Sequence, residues 1–281
     1  VRFSPAAAGS FTNTVTFTTG NGGNSTNTVT GIALTPPQLA VSPPSLSLGT
    51  VIVGTNAQAS FVVTNTGGAT LSNGVATITA GPFTILSGTP FTLPGFGTTN
   101  LVVRFTPAVA GSFTNTVTFT TGNGGNSTNT VTGTGAVVPA ANFVGSPTNG
   151  AWPLTVAFTD NSTGTITNSF WDFGDGSTTN TTFTSLNHTY AAPGTNSVLL
   201  TVTGPVGSNT LVRAGYIVVT NPAPVTLTIA IVTNHVQLTW ASGTLQSALQ
   251  VSGTYTNITG AVSPYTLPPA ETTRFFRVKV R

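Results

Sequence analysis

Residues 1–33 read VRFSPAAAGSFTNTVTFTTGNGGNSTNTVTGIA, and residues 103–135 read VRFTPAVAGSFTNTVTFTTGNGGNSTNTVTGTG. The stretches lie 102 residues apart and differ only at Ser4/Thr106, Ala7/Val109, Ile32/Thr134 and Ala33/Gly135. Self-similarity at a fixed period marks a duplicated structural unit. Within the first copy, Phe11, Val15 and Phe17 alternate with Thr12, Thr14, Thr16 and Thr18. That alternation gives a strand with one apolar and one hydroxylated face, interrupted on the apolar side only by Asn13. Gly20-Asn21-Gly22-Gly23 reads as a turn, because these residues tolerate positive φ. Asn24 to Thr30 is expected to return as the partner strand, and the same hairpin is expected from Phe113 to Thr132.

Composition sets the class around this hairpin. The chain has 281 residues, too many for one sandwich of about 100 and enough for roughly two to three. Charged residues make up only 4%, against about 25% in ordinary soluble domains. Low charge does not signal a membrane span here. Apolar runs such as Ala136–Val138 and Val198–Leu200 fall far short of the ~20 residues a spanning helix needs. Polarity comes instead from Thr, Asn, Ser and Gly. Abundant Thr, Val and Phe, with one Lys, one Glu and no Met, favour strands over helices. No segment carries a sustained helical period, so the chain reads as all-β.

Several functional classes drop out on the same grounds. Zero Cys excludes disulfide frameworks, thiolate metal sites and cysteine nucleophiles. The net charge of +3 comes from seven cations scattered along the chain, without the cluster that tracks phosphates, which argues against nucleic acid. No basic stretch followed by an apolar one opens the sequence, so an export signal is expected upstream or already removed.

Proline-rich joints divide the chain. Thr35-Pro36-Pro37 with Ser42-Pro43-Pro44, then Val137-Val138-Pro139, then Asn221-Pro222-Ala223-Pro224 mark short, stiff connections. The expected units are 1–34, the C-terminal hairpin of an incomplete repeat; 35–136, a complete module; 137–221; and 222–281. At the C-terminus Phe276, Val278 and Val280 alternate with Arg277, Lys279 and Arg281, cations that guard an edge against pairing with its like.

The modules carry family resemblances. Leu46-Ser47-Leu48-Gly49-Thr50-Val51, Phe61-Val62-Val63-Thr64-Asn65-Thr66-Gly67, Val103-Arg104-Phe105-Thr106-Pro107, Gly111 and Gly133-Thr134-Gly135 occur in order. Through them residues 38 to about 135 resemble the Hydin-like, choice-of-anchor type of immunoglobulin-like domain. That likeness implies a seven-stranded sandwich used as a structural or binding unit, without activity of its own. Pro153-Leu154-Thr155-Val156-Ala157-Phe158, Trp171-Asp172-Phe173-Gly174-Asp175-Gly176-Ser177, His188-Thr189-Tyr190 and Pro193-Gly194 make residues 140–220 similar to a polycystic-kidney-disease (PKD) domain. The PKD resemblance implies a spacer deployed outside the cell; Trp152 departs from it, standing where a small residue is expected. Leu238-Thr239-Trp240, Leu245-Gln246-Ser247-Ala248 and Phe275-Phe276-Arg277-Val278 make residues 225–281 resemble a short fibronectin-type-III-like terminal module of large secreted bacterial proteins. Together these imply tandem immunoglobulin-like β-sandwiches in a rod-like array.

Candidate chemistry is sparse. Asp172 and Asp175 flank a Gly turn, with Asp160 on another loop; they could hold Ca²⁺ or simply shape their turns. His188 and His235 fall in different modules, so no triad or metal pair is expected. His188 is read as a packed, hydrogen-bonded ring. Trp171 and Trp240 fit core positions. Trp152 is a glycan-stacking platform, a contact between neighbours, or a ring folded over its own Pro153 joint. The Thr ladders read as a solvated face, as O-glycan carriers, or as a flat array able to bind ice. No catalytic residue, metal or cofactor is expected.

The first copy starts mid-unit, so the chain is expected to be the tail or a processed form of a longer product. A two-stranded hairpin is marginal alone in water. Ordering some thirty residues costs more than burying Phe3, Phe11, Val15, Phe17, Val29 and Ile32 returns. These six are therefore expected to meet strands from elsewhere, either from a second subunit, with the short C-terminal module as candidate donor, or from one long tandem array in which Val1 is only a boundary. A head-to-tail contact that does not close gives a filament. The sequence thus reads as a non-enzymatic structural subunit of an extracellular or cell-surface bacterial filament, associating with itself. A glycan- or ice-binding adhesin stalk and the accessory tail of a secreted hydrolase are the other readings.

Overall fold

Alternation of apolar with hydroxylated side chains produces strands throughout, and no helix forms among the described residues. The computed structural model describes residues 1–268 and 273–280; Arg281, expected to extend the C-terminal row of cations, lies outside the described residues. β1 (Gly9–Phe17) and β2 (Ser25–Ala33) pair antiparallel, Phe17 opposite Ser25 and Gly9 opposite Ala33. The return strand runs to Ala33 rather than stopping at Thr30, because Gly31, Ile32 and Ala33 keep the ladder with Phe11, Ser10 and Gly9. Among the described residues no other strand joins this two-stranded sheet.

The next strands are β3 (Leu39–Ser42), β4 (Ser45–Ile52), β5 (Ala57–Asn65), β6 (Leu71–Ile78), β7 (Phe83–Ser87), β8 (Phe91–Leu93), β9 (Thr98–Phe105), β10 (Gly111–Thr120) and β11 (Ser127–Ala136). They form a five-stranded sheet, β4-β11-β10-β6-β8, facing a four-stranded one, β3-β5-β9-β7. Seven strands are implied by the family likeness, and nine form. Pro43 and Pro44 lack the amide hydrogen a ladder needs and separate β3 from β4, which join different sheets. Phe61, Val63, Leu101, Val103 and Phe105 meet Leu71, Val117, Phe119 and Val131 in a closed core. Asn65 is buried without strain on its amide: its Oδ1 accepts from the Gln38 and Gly67 amides, and its Nδ2 donates to the Ala69 and Pro94 carbonyls.

A third set follows: β12 (Phe143–Ser146), β13 (Asn149–Ala151), β14 (Leu154–Asp160), β15 (Asn168–Asp172), β16 (Thr178–Thr181), β17 (Ser185–Tyr190), β18 (Gly194–Gly204) and β19 (Gly207–Thr220). Sheet β12-β14-β17 faces sheet β13-β19-β18-β15-β16. Trp171 lies fully buried between them, its ring 5.1 Å from Phe143 and 5.5 Å from Phe158. The last set is β20 (Thr228–Val232), β21 (His235–Thr239), β22 (Thr244–Ala248), β23 (Thr256–Asn257), β24 (Tyr265–Leu267) and β25 (Phe275–Lys279). It makes two three-stranded sheets, β20-β21-β24 and β23-β22-β25, around Leu238, Trp240 and Leu245.

Candidate functional site: the uncovered hairpin and two smaller features

The hairpin β1–β2 repeats β10–β11 except at Ile32/Thr134 and Ala33/Gly135, and it repeats the pairing. Phe11 sits opposite Gly31 as Phe113 sits opposite Gly133, and Val15 opposite Asn27 as Val117 opposite Asn129. Even the local packing recurs. Phe3 meets Phe11 at 5.7 Å, and its counterpart Phe105 meets Phe113 at 5.7 Å. A Cβ on Gly31 would press on the Phe3 ring at 2.9 Å, and one on Gly133 would press on Phe105 at 2.7 Å.

Burial does not recur. Phe119 is fully buried, while its twin Phe17 is 56% exposed; Phe105 is fully buried, while Phe3 is 49% exposed. In the complete module β11 takes β4 as a parallel neighbour and β10 takes β6 as an antiparallel one. Among the described residues neither outer edge of β1–β2 has a partner strand. The uncovered face forms a hollow of about 430 Å³ lined by Phe3, Phe11, Val15 and Val29 among others.

One expected member of that face is misplaced. Ile32 pairs with Ser10, and so projects with Thr12, Thr14, Thr28 and Thr30 on the hydroxylated side. Its counterpart Thr134 shows that this position belongs to the polar face. The apolar set is therefore Phe3, Phe11, Val15, Phe17 and Val29.

The three aspartates are engaged in turns. Asp172 Oδ1 accepts from the Gly174 amide at 2.9 Å and Asp175 Oδ1 from the Ser177 amide at 3.0 Å. Asp160 stands apart from them, accepting from the Ser162 amide and the Ser169 hydroxyl. No group of three or more His, Cys, Asp or Glu side chains converges among the described residues. Asp175 Oδ2 lies 2.7 Å from His188 Nε2, and the His188 ring stacks on Phe173 at 4.0 Å. Partial burial pushes the Asp175 carboxyl up. The His188 hydrogen bond, the Ser177 amide and the His188 charge outweigh that and hold it below its ordinary value of 3.8. Tyr190 donates to the Phe173 carbonyl at 3.1 Å. Burial, then the charges of Asp175 and Asp172, push its phenol well up. His235 is far from this cluster in sequence and touches its own turn, at the Thr233 carbonyl.

Trp152 lines a cleft of about 450 Å³ with Pro153, Pro222, Ser242, Gly243 and Val280, and its ring remains 37% exposed. Its amide donates to the Thr220 carbonyl. The residue thus stands where the β12–β19 and β20–β25 sandwiches adjoin. Sequence reasoning missed Asn65, whose loop-tying role needs the loops brought together, although its place at the end of an apolar strand is visible.

Residues 37–136 match the family model described as HYDIN/CFA65/VesB-like, Ig-like domain, and residues 136–219 match that of the PKD domain. The chain carries a HYDIN-like Ig-like domain followed by a PKD domain. Among solved structures, an I-band fragment of titin is 13% identical, covering 78% of this chain and 77% of that one with a TM-score of 0.44. The N-terminal four Ig domains of a Dscam1 isoform are 12% identical over 70% of this chain and 51% of that one, TM-score 0.39. The Vibrio cholerae VesB protease is 20% identical over 34% of this chain and 32% of that one, TM-score 0.29. No curated protein matches the chain. Ig-like and PKD domains are typically non-catalytic and typical of extracellular structural or adhesion proteins. No helix among the described residues is long and apolar enough to cross a membrane.

Proposed function

We propose that the chain is a structural subunit of an extracellular filament or fibrous surface appendage, whose copies join head-to-tail by strand complementation. Consecutive sandwiches with proline-rich joints set a fixed spacing, as a rod, and hairpin β1–β2 supplies the joint. The observation that carries this reading is the contrast between twins: one hairpin sequence, buried at β10–β11 and uncovered at β1–β2. Exposed, uncharged strand edges and a contiguous apolar face are what association through β-addition requires.

The Ig-like body of a second copy is not the partner. The Ig-like body among the described residues is already filled by its own β10–β11. Replacing that hairpin with a neighbour's near-identical one would uncover as much as it covers, and would add the entropic cost of association. The joint therefore needs another open strand.

Negative-stain electron microscopy of the purified chain, beside a chain lacking residues 1–34, tests the reading. Filaments or short rows from the first and single particles from the second are expected. Single particles from both at high concentration would overturn it. A glycan-binding stalk is favoured by one observation, the partly exposed Trp152 in its cleft. It predicts retention on a polysaccharide matrix that Trp152→Ala abolishes.

A further inference from the structure

Asn196 breaks an apolar series. On β18 its inward parity continues as Val198, Leu200 and Val202, all fully buried, and Asn196 itself is only 9% exposed. An amide at such a position costs stability unless something pairs with it. The other buried polar side chains find protein partners: Asn65 and Asn129 on backbone carbonyls, Ser169 on Asp160, Gln246 on Asn257. The Asn196 amide has none among the described residues. It lines a cleft of about 470 Å³ between the β15–β16 turn and the β17–β18 connection, together with Asp175, Ser177, Ala191, Ala192 and Pro193.

Close backbone contact holds the walls of this cleft together. Gly174, at φ 80°, lies so near Ser197 that a Cβ there would fall 2.3 Å from the Ser197 carbonyl oxygen. The turn carrying Asp175 and Ser177 is thereby seated beside the residue next to Asn196, and the Phe173 amide closes that turn on the Ser177 carbonyl at 3.1 Å. Ligand sites are mostly preformed clefts of about 300–1,000 Å³ holding a few placed polar groups. The lining chemistry then selects the ligand. Asp175 opposes an anion. Ca²⁺ gathers roughly six to eight oxygens, and here a single carboxylate stands with both oxygens engaged, Oδ1 by the Ser177 amide and Oδ2 against His188 Nε2, while Asp172 is turned to the Gly174 amide. What remains is the spare acceptor capacity of Asp175, the Ser177 hydroxyl, and both donors and the acceptor of Asn196. Exposed Ala191, Ala192 and Pro193 add a small apolar wall. A sugar ring matches both parts: a hydroxyl donates to Asp175 while accepting from Asn196, and ring C–H groups lie on the alanines and the proline. We propose that this cleft binds a neutral sugar ring through Asp175, Ser177 and Asn196, so that the PKD domain holds glycans as well as spacing its neighbours. The proposal stands apart from the head-to-tail reading and from the Trp152 cleft.

Nuclear magnetic resonance titration of the isotope-labelled full chain with glucose, galactose, mannose and N-acetylglucosamine tests it. The signals to follow are the Asn196 side-chain amide and the Ser177 and Ala192 backbone amides. At least one of these sugars should shift them to saturation. Asn196→Leu leaves an apolar residue in an apolar row, so that variant should melt no lower than the unmodified chain, yet bind at least about tenfold more weakly. Ser177→Ala, at an exposed turn position, should weaken binding less and gives an answer independent of the first variant's folding. Trp152→Ala should leave the shifts as they are. If sugar moves the Trp152 indole signal and spares the Asn196 cleft, this inference falls while the glycan-stalk reading stands. Calcium chloride and Nα-acetyl-lysine amide run alongside; saturation by either, with no response to any sugar, makes the cleft a cation site and overturns the proposal. No response to any of these probes means that the cleft holds solvent alone, and overturns it too.

Discussion

Two regions of this molecule share a sequence and a register but not an environment, and the contrast separates what local sequence decides from what it does not. Residues 1–33 and 103–135 form the same hairpin, with Phe3 over Gly31 as Phe105 lies over Gly133. Strand, turn, pairing and the nearest aromatic contact are therefore local properties. Burial is not. The second hairpin is roofed by β3-β5-β9-β7 and flanked by β4 and β6, and every one of those strands comes from elsewhere in the chain. The alternating pattern states which face seeks cover, and distant strands determine whether it finds any.

Breaking this comparison is easiest at the paired phenylalanines. Phe119→Ala removes a fully buried ring that meets Phe61 edge-on at 5.7 Å. It should destabilise its sandwich by about 3–5 kcal/mol. Phe17→Ala, the same substitution in the same local sequence, should change the monomer by no more than about 0.5 kcal/mol. Urea unfolding of the two variants side by side measures both. Placing a second copy of residues 35–102 directly before Val1 sharpens the test, because it restores the strands the first hairpin lacks at the natural spacing. In that longer chain Phe17→Ala should cost about as much as Phe119→Ala. Two equal, small losses in the original chain would mean that burial at β10–β11 contributes far less than the packing implies.

A smaller contrast lies at the paired glycines. A methyl on Gly133 would enter a closed core 2.7 Å from the Phe105 ring, and overpacking of this kind costs about 1–3 kcal/mol. A methyl on Gly31 meets the Phe3 ring at 2.9 Å, but that ring is half exposed and free to swing outward. Gly133→Ala should lower the midpoint of thermal unfolding, and Gly31→Ala should leave it in place. A drop for Gly31→Ala would show that the first hairpin is held rigidly in the isolated molecule.

How much of this was legible before the structure follows the same division. The duplication, the Thr and Phe alternation and the Gly20–Gly23 turn gave the hairpins, and the Trp-Asp-Phe-Gly-Asp-Gly run gave the core position of Trp171. Ile32 was misassigned because hydrophobicity alone was counted there; its parity, two residues from Thr30 and Thr28, already put it on the hydroxylated face. The split of β3 from β4 hid behind Pro43-Pro44, which marks an interruption without saying which sheet each half joins. The uncovered Ile229 and Ile231 were least legible. Thr-Ile-Ala-Ile-Val carries no local sign of exposure, and with a three-stranded sheet opposite its isoleucines lie in solvent.

The last and smallest effect is a control on the twins, because acid should not distinguish them. Neither hairpin contains a carboxylate; the chain's four lie at Asp160, Asp172, Asp175 and Glu271. Asp175 is held below its ordinary 3.8 in its contact with His188. A carboxyl with a lowered folded pKa contributes stability that is fully present above its unfolded value and is lost as pH falls through the folded one. Calorimetric melting should therefore show the transition of the PKD domain moving down as pH drops below about 3.8, with that of the Ig-like domain moving less. Asp175→Asn should flatten this acid dependence. The gap between Phe119→Ala and Phe17→Ala should be the same at pH 3 and pH 7, since what separates those residues is covered apolar surface and not charge. A gap that closed in acid would tie the roofing of the second hairpin to a titrating group, and the comparison of the twins would have to be rebuilt on electrostatics.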